Sequence, residues 1–420
     1  MINYDVAVIG GGASGMLAAA VAAEKGARVL LLERNSVPGM KLRITGKGRC
    51  NLTNDCSVSD ALDNLTKGAG FMQSAMNGFT PHDVMRLFES LGVPLKTERG
   101  ARVFPRSDKA SDIADALTRY MSKSGVTLMQ ARAAGIRIVE GRKVAGVLLQ
   151  DGEISCNAVI LATGGMSYPS TGSTGDGYTI AGELGHTVTP IFPSLVPLTS
   201  GNEECALMQG LTLKNIRMSV FDGGEKPVYV DFGELLFTHF GLSGPLALSA
   251  SAHMRDIERK NYHILIDMKP ALDESKLDQR ILRDFEKYSN RDFSNSLGDL
   301  LPKSMIKVVI SRSGIDPVVK VHSITRAQRK SIISVIKALR FDISGFRPVE
   351  EAVVTSGGVE LKEINPKTME SKLVRGLYFA GEIIDADGYT GGFNLQIAWS
   401  TAYAAARNAA SSVKLLVRDR

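Results

Sequence analysis

The chain has 420 residues, which is too long for one ordinary hydrophobic core and predicts two or three domains. Its hydrophobic content of 44% and charged content of 22% are typical of a globular enzyme and exclude a disordered or membrane-embedded chain. The net charge is +6, but the basic residues are spread among nearly as many acids, which favours a solvated surface and makes a nucleic-acid partner unlikely.

Targeting and metal signals are lacking in the sequence. No apolar run is long enough to span a bilayer, and the first strand begins without a basic leader or cleavage site, so we expect a cytoplasmic protein with no membrane contact. The four cysteines, Cys50, Cys56, Cys156 and Cys205, form no Cys-x-x-Cys pair, and the six histidines are equally dispersed. These patterns predict neither a disulfide scaffold nor a metal site.

The first thirty-three residues read as a strand, a glycine-rich turn, a helix and a second strand. Gly10 permits a tight turn, Gly12 permits a pyrophosphate to approach the backbone, and Gly15 permits close packing of the helix on the strand. Glu33 lies at the tip of the second strand, where it can accept hydrogen bonds from an adenosine ribose. The pattern predicts a dinucleotide site and leaves FAD and NAD as alternatives.

The next elements extend this α/β pattern. Helices are predicted near residues 80–91 and 111–122, and strands at residues 144–149 and 158–161. The last strand runs into Ala162-Thr163-Gly164-Gly165, which indicates a ligand-binding turn at the carboxyl edge of the same sheet.

The pattern changes from about Ile191. Strands separated by Gly, Asp and Pro turns are predicted at residues 211–221, 228–237 and 262–268. Helical periodicity then runs from Ala271 to about Phe341, with a helix start at Thr325. Glycine-rich α/β character returns after Gly345.

This order predicts a nucleotide domain made from both ends of the chain, residues 1–190 and 346–420. A β domain at residues 191–270 and a helical domain at residues 271–345 would be inserted between them.

A late segment favours FAD over NAD. Residues 376–382 form a short apolar strand ending in Gly381 and Glu382, and Asp385 and a glycine pair before a helix follow. Such a segment can bring a carboxylate towards a ribityl chain and a helix N-terminus towards the flavin pyrimidine. The alternative is an ordinary surface turn before a C-terminal helix.

Five blocks identify a family. They are residues 39–54, 102–105 with 109–111, 162–165 with 172–177, 236–245, and 355–359. With these blocks the chain resembles the bacterial NAD(P)/FAD-dependent oxidoreductases called YhiN-like, BaiN-like or aminoacetone-oxidase-like flavoproteins. The resemblance implies an α/β fold with a discontinuous Rossmann-like FAD-binding domain and inserted β-barrel-like and helical domains.

The resemblance also implies a set of cofactor contacts. The N-terminal turn would hold the pyrophosphate and adenosine end of FAD. Lys41 and the loop at residues 46–51 would wrap around the cofactor, and residues 381–396 would hold its flavin end. The implied FAD-binding residues are Gly10, Gly12, Ser14, Gly15, Glu33, Arg34, Lys41, Gly46, Gly48, Arg49, Cys50, Asn51, Ala133, Thr163, Gly164, Gly381, Glu382, Asp385, Gly392, Phe393, Asn394, Leu395 and Gln396.

Catalytic residues have weaker support. Flavin chemistry needs an acid or base for the proton that accompanies hydride, and His239, Arg49 and Tyr168 are the polar candidates in the glycine-rich blocks. Each also has a structural alternative. Cys50 lacks a nearby partner for dithiol chemistry.

These features predict an FAD-dependent oxidoreductase, an NAD(P)H-linked reductase or an oxidase of a small organic substrate. No second Gly-x-Gly-x-x-Gly motif is present, so NADH or NADPH would bind only transiently. An FAD-dependent nucleic-acid-modifying protein and a non-catalytic flavin-binding redox sensor are the alternatives.

Overall fold

The computed structural model describes residues 4–254, 257 and 259–418. The chain divides into two compact units, Met1–Ser194 with Val349–Arg420, and Leu195–Pro348. We call them the terminal unit and the inserted unit. The coordinates group the inserted strands and helices in one unit, and the separate β and helical domains stay a prediction.

The strands are numbered along the chain. They are β1 Tyr4–Ile9, β2 Val29–Glu33, β3 Thr53–Asn54, β4 Leu65–Lys67, β5 Leu95–Glu98, β6 Arg102–Pro105, β7 Thr127–Gln130, β8 Ala133–Val139, β9 Lys143–Leu149, β10 Gly152–Leu161, β11 Phe192–Ser194, β12 Leu198–Thr199, β13 Thr212–Phe221, β14 Tyr229–Thr238, β15 Gly241–Ser243, β16 His263–Asp267, β17 Leu339–Asp342, β18 Gly345–Phe346, β19 Val354–Ser356, β20 Leu377–Phe379 and β21 Asp387–Gly388.

The α-helices are numbered in the same way. They are α1 Ala13–Glu24, α2 Met40–Ile44, α3 Val58–Asp63, α4 Ala69–Gly78, α5 Pro81–Ser90, α6 Ala110–Lys123, α7 Asp176–Glu183, α8 Glu204–Leu207, α9 Gly244–Ser251, α10 Glu274–Lys287, α11 Lys303–Ser313, α12 Arg326–Lys337 and α13 Phe393–Arg418.

A seven-stranded sheet forms the centre of the terminal unit. Its order is β7-β2-β1-β10-β9-β8, and β20 also pairs with β10. Strands β7, β2, β1, β10 and β20 pair in parallel, and β8 and β9 add an antiparallel extension. The central parallel strands β1, β2 and β20 are almost wholly buried, because helices cover such sheets on both faces. This arrangement gathers the carboxyl ends of β1, β2, β10 and β20 at one edge.

Local sequence signals fix the helices near this sheet. Helix α5 starts at a capping box in which Thr80 and Asp83 satisfy each other's backbone amides. Buried alanines on α1 permit its close contact with α13, and Thr401 of α13 accepts the Gly381 amide at 2.9 Å. The long C-terminal helix is thereby tied to the end of β20.

The inserted unit contains a second seven-stranded sheet with antiparallel pairing, in the order β17-β16-β13-β14-β15-β12-β18. Its first and last strands are neighbours in sequence, with only Ile343 and Ser344 between them. A link of three Cα–Cα steps can span only about 11 Å, so the two ends of the sheet approach each other as they do in a barrel.

Helices α10, α11 and α12 share one hydrophobic core with this sheet, and α12 begins at a Thr325–Gln328 capping box. The helical expectation is wrong at residues 339–342, which form β17. Leu339 and Phe341 are buried between exposed Arg340 and Asp342, so the period of two decides this segment. Leu339 also continues the spacing of buried Ile336, which explains the error.

Candidate functional site

The glycine-rich turn after β1 combines two crowded glycines with an open one. Gly10 has a φ of +102°, and a Cβ atom there would lie 2.6 Å from the carbonyl oxygen of Ala162. A Cβ on Gly15 would lie 1.8 Å from the Gly10 carbonyl oxygen, so α1 and β1 can approach this closely only without a side chain. A Cβ on Gly12 would meet no heavy atom within 4 Å. The turn is therefore tightly packed at Gly10 and Gly15 and has open space at Gly12.

Helix α1 begins at that open position. Gly12 is its N-cap, and glycine has no side chain that could cap the first-turn amides. Free amides at a helix N-terminus carry partial positive charge and attract anions. Ser14 in the first turn donates to the Ala380 carbonyl at 3.4 Å, which joins this helix to the segment after β20.

Glu33 at the end of β2 is positioned by backbone amides. It is 7% exposed, and its carboxylate oxygens accept hydrogen bonds from the amides of Gly11 and Asn35, both at 2.7 Å. A carboxylate has about four acceptor positions, so further acceptors remain for a ribose. Ala133, which begins β8, lies two residues after Ala131, whose amide donates to the Glu33 carbonyl at 2.9 Å.

Arg34 links β2 to the glycine-rich block at residues 172–177. Its Nη1 atom donates to Thr174 Oγ1 at 2.7 Å and lies 3.5 Å from Asp176. Asp176 also pairs with Arg132 at 2.8 Å. Two arginines, one after β2 and one between β7 and β8, thus neutralise a single acid.

Lys41 has a protein partner. Its ammonium lies 2.7 Å from Glu382 Oε2 and 2.5 Å from Ser167 Oγ. The other Glu382 oxygen accepts the Thr355 amide at 2.8 Å. Lys41 is among the implied FAD-binding residues, and in this structure its charge is paired with that of Glu382. The pair joins the early loop to the segment after β20, and Gly165 packs against Thr355 beside it.

The loop at residues 46–51 has an unusual backbone. Gly46, Lys47, Gly48 and Cys50 all have positive φ values, and two of these residues are not glycine. Such conformations cluster at functional sites because the surroundings must hold them in place. Cys50 is fully buried, and burial raises its pKa to about 12, so its thiol stays neutral.

This loop meets the start of α13. The Asn51 side chain, in its hydrogen-bonded amide orientation, accepts from the Gly392 amide at 3.1 Å. A Cβ on Gly392 would lie 2.5 Å from the Thr53 carbonyl oxygen, and Thr53 Oγ1 donates to Gln396 at 2.6 Å. The Trp399 ring nitrogen donates to the Leu52 carbonyl at 3.0 Å.

The first turn of α13 is held mainly by protein groups. Gln396 is fully buried, and its amide nitrogen donates to the Phe79 carbonyl and to Ser400 Oγ. Asn394 makes two hydrogen bonds with the backbone of Gly388, at 2.9 and 2.7 Å. Phe393 is buried and Leu395 half-buried. These side chains fix the helix terminus, and its backbone is the part that can face a ligand.

Three buried side-chain oxygens have no hydrogen-bond partner in the described part of the chain. They are Thr163 Oγ1, Tyr178 OH and Asp385 Oδ1. Buried polar groups without partners are rare in proteins, because their desolvation is not offset. Asp385 is 3% exposed, and its other oxygen pairs with Lys67 at 2.5 Å.

The three orphan oxygens belong to one neighbourhood. A Cβ on Gly177 would lie 2.0 Å from Thr163 Oγ1, and Tyr178 is the next residue. Burial raises the pKa of Tyr178, and the negative charges of Glu382 and Asp385 raise it further, which keeps the hydroxyl protonated. The group therefore offers two hydroxyl groups and a carboxylate oxygen.

These observations fit FAD. The open Gly12 turn and the uncapped α1 N-terminus suit a pyrophosphate, and Glu33 suits a ribose. The orphan hydroxyls and carboxylate suit a polyhydroxylated chain such as ribityl, which can both donate and accept. Both sets lie at the carboxyl edge of the parallel sheet, where α/β folds bind ligands.

The catalytic candidates belong to different elements of the fold. Arg49 pairs with Glu98 and Asp108 at 2.5 and 2.6 Å and stacks over Phe104, so its contacts are with the β3-β6-β5 sheet. Tyr168 is half-buried with a φ of +54°, and its amide donates to the Glu350 carbonyl. His239 is exposed in the β14–β15 turn of the inserted unit, beside the Phe240 ring.

Sequence reasoning missed four residues of this neighbourhood, Lys67, Ser167, Tyr178 and Thr355. Tyr178 and Thr355 adjoin or lie in blocks that carried the resemblance, so proximity to those blocks could have found them. Lys67 has no sequence signal, because its pairing with Asp385 joins positions more than 300 residues apart.

The fold and this site define a flavoprotein oxidoreductase with a Rossmann-type FAD-binding domain. Residues 4–408 match the family described as HI0933-like protein Rossmann domain. The chain belongs to this family, and the resemblance found in its sequence is confirmed.

Named relatives match over nearly their whole length. The Ribosomal RNA dihydrouridine synthase of Escherichia coli (strain K12) is 32% identical over 413 residues, with 97% of this chain and 98% of that protein covered. The 3-dehydro-bile acid delta(4,6)-reductase of Clostridium scindens is 32% identical over 413 residues, with 96% and 98% covered.

A solved structure supports the fold alone. Escherichia coli quinol fumarate reductase FrdA superposes with a TM-score of 0.51 at 17% identity, covering 99% of this chain and 71% of that chain. No helix in the described residues has the length and apolar character needed to cross a membrane.

Proposed function

We propose that this protein is a reductase that saturates a carbon–carbon double bond conjugated to a carbonyl group, with NADH or NADPH as electron donor. The carrying observation is that two relatives of equal identity, 32%, have names that describe this same chemistry on very different molecules. Making dihydrouridine adds two hydrogens to the double bond of uracil, and a delta(4,6)-reductase does so beside a 3-oxo group. The shared chemistry is therefore a better guide than either substrate.

In this proposal the terminal unit binds FAD along the sheet edge. The α1 N-terminus and Gly12 bind the pyrophosphate, and Glu33 with Arg34 binds the adenosine side. Tyr178, Thr163 and Asp385 bind the ribityl hydroxyls with their unpaired oxygens. The Lys41–Glu382 pair and the loop at residues 46–51 hold the cofactor in place.

When bound and reduced by NADH or NADPH, FAD would supply the hydride for this reduction. The chain must supply the companion proton, and Tyr168 and His239 are the proposed donors. Cys50 cannot take part as a thiolate, because burial keeps it protonated. The backbone amides at the start of α13 would stabilise negative charge on the flavin pyrimidine.

The proposed way in which the electron donor binds follows from the number of glycine-rich dinucleotide motifs in the sequence. The chain has one Gly-x-Gly-x-x-Gly motif, which the FAD site uses. A pyridine nucleotide therefore binds briefly and leaves before substrate enters. We expect ping-pong kinetics, because donor and substrate share one flavin face.

Anaerobic stopped-flow reduction tests this proposal. The holoprotein should bleach with NADH or NADPH and regain its yellow colour when an enone is added, with formation of the saturated ketone. A matched saturated ketone is the control and should not reoxidise the flavin. Protein that purifies colourless and takes up no FAD would contradict the cofactor assignment. Bleaching without reoxidation by any enone or uracil compound would leave the redox-sensor alternative in its place.

A uridine in RNA is the second candidate substrate. It is favoured by the names of the Escherichia coli and Haemophilus influenzae relatives, both Ribosomal RNA dihydrouridine synthase. Unmodified ribosomal RNA incubated with holoprotein and NADPH should then gain dihydrouridine, which mass spectrometry of nucleosides measures. Turnover of free enones with unchanged RNA would favour the small-molecule substrate.

A further inference from the structure

The net positive charge of this chain is concentrated in one segment of the sequence. Between Arg291 and Lys337, the end of α12, there are nine basic and three acidic residues, a net charge of +6. The rest of the chain has 41 basic and 41 acidic residues, from totals of 50 and 44. The whole net charge therefore lies in 47 residues of the inserted unit, which whole-chain composition concealed.

Several of these cations are not neutralised. Four of the nine pair with acids, namely Arg312, Lys320, Arg329 and Lys337. Within the described residues Lys303, Lys307, Arg326 and Lys330 have no ion pair, and all four are exposed. Arg291 stacks on the Tyr288 ring and is also exposed. Unpaired cations of this kind are available to a polyanion.

A groove lies along α11. Lys303 and Lys307 are one turn apart on α11 and line a concave cavity of about 1000 Å³. Ile306, Ile310, Ile315 and Pro317 give it an apolar lining, and Ser294, Asn295 and Ser311 add polar groups. Asp316 also lines it, with its carboxylate accepting the Val318 amide at 3.1 Å.

Pairing between two segments fixes the side of this groove. The Ser294 amide donates to the Pro317 carbonyl at 3.0 Å, and the Val321 amide donates to the Arg291 carbonyl at 3.0 Å. Arg291 and Lys320 are therefore carried by the same paired segments that contribute Ser294 and Pro317 to the lining.

We propose that this groove and the exposed cations of α11 and α12 bind an unpaired nucleic-acid strand. The lysines contact the phosphodiester backbone, and the apolar lining takes unstacked bases or sugars. An acidic protein would match the charge, but the apolar side chains that line the same groove as Lys303 and Lys307 also suit bases and sugars. The inference goes beyond the proposed reductase and does not rest on it, because the cationic groove needs no flavin.

Fluorescence anisotropy with labelled oligoadenylate tests the proposal on the full-length holoprotein. Adenine has no double bond next to a carbonyl that the proposed reductase could act on, so binding is measured apart from turnover. The test variant changes Lys303, Lys307, Arg326 and Lys330 to Gln. The control variant changes exposed Lys25, Arg119, Lys123 and Lys367 of the terminal unit to Gln, with the same loss of charge.

We expect the test variant to bind at least about tenfold more weakly at low salt and to lose about 0.7 of the salt slope per phosphate contact removed. The control variant should bind like the wild type. Equal weakening of both variants would mean diffuse attraction and would overturn the proposal. Absence of wild-type binding, or displacement of the oligonucleotide by polyglutamate at equal charge concentration, would overturn it too.

Two further measurements distinguish RNA from DNA and a loss of binding from a loss of folding. Oligodeoxyadenylate of the same length distinguishes RNA from DNA as the source of the strand. Flavin absorbance and enone reduction should be unchanged in the test variant, which shows that it is folded. Loss of enone reduction in the wild type with retained oligonucleotide binding would remove the reductase proposal alone.

Discussion

The terminal and inserted units have opposite kinds of polar chemistry. In the terminal unit the informative polar groups are buried and few, such as Asp385 and Tyr178. In the inserted unit they are exposed and cationic, and two of them line a groove that also has apolar side chains. Buried orphan groups indicate one ligand of defined shape, because each unpaired atom costs free energy until it is matched. Exposed cations indicate a partner of repeating charge, because each contributes little and all are screened by salt.

This contrast leads to different expectations for substitutions in each unit. Changes in the terminal unit should act on folding or on FAD affinity in a steep, site-specific way. Changes in the inserted unit should leave flavin bound and alter turnover or polyanion binding.

The largest effect is expected at Gly15. Gly15→Ala places a Cβ 1.8 Å from the Gly10 carbonyl oxygen, so α1 must move from β1, at a cost of about 3 kcal/mol or more. Gly12→Ala is the matched control, since its Cβ meets no protein atom within 4 Å. Thermal unfolding of the apoprotein should separate them, while FAD titration should show weaker binding in both. Equal apoprotein stability of the two variants would refute the packing role of Gly15.

The second effect concerns turnover. If His239 donates the proton, His239→Ala should lower kcat about 100-fold, because a positioned general acid contributes at least that much. FAD absorbance should not change, since His239 lies in the inserted unit. Tyr168→Phe removes only a hydroxyl and tests the other candidate. Unchanged kcat in either variant removes that residue from the proposed mechanism.

A third effect is expected in FAD affinity. Asp385→Asn keeps the shape of the side chain but removes the charged acceptor, so the Kd for FAD should rise about 10-fold to 100-fold. Lys67→Gln breaks the ion pair yet leaves Asp385 Oδ1 free to bind ligand, and it should raise Kd less. Isothermal titration of the apoproteins measures both. The orphan-oxygen argument fails if the Asn variant binds FAD as tightly as the wild type.

The smallest effect is a pH dependence of stability. His186 is buried, with Nδ1 3.1 Å from Glu363 and Nε2 2.8 Å from Ser371 Oγ. The Ser371 hydroxyl oxygen already accepts two backbone amides, so its proton goes to Nε2 and the imidazole is neutral. Burial lowers the pKa of His186 despite the hydrogen bond with Glu363.

The unfolded chain therefore takes up a proton at a pH where the folded chain does not. The contribution of His186 to stability is present above about pH 6.5 and is lost as the pH falls below it. Urea unfolding of wild type and His186→Gln between pH 5 and 8 measures this, with exposed His322→Gln as control. A wild type whose stability rises on acidification would contradict the neutral, buried state.

The accuracy of the sequence predictions follows from how local each signal is. The bounds of α5 and the start of α12 were predicted within a residue or two, because a Thr cap and its partner three residues on lie in one stretch of chain. The strand at residues 339–342 was missed because Leu339 fits a helical and an alternating pattern equally well, and only pairing with β16 decides.

The sequence by itself determined the family, the Rossmann turn at Gly10 to Gly15 and the use of FAD, because glycine positions and block spacing are local and specific. The tertiary structure alone placed Lys41 against Glu382 and Lys67 against Asp385, and it left the Tyr178 hydroxyl without a partner among the described residues. It also showed which cations of α11 and α12 have no ion pair with any described residue. These facts depend on contacts between residues hundreds of positions apart, and the burial that gives an unpaired oxygen its meaning exists only in the folded chain.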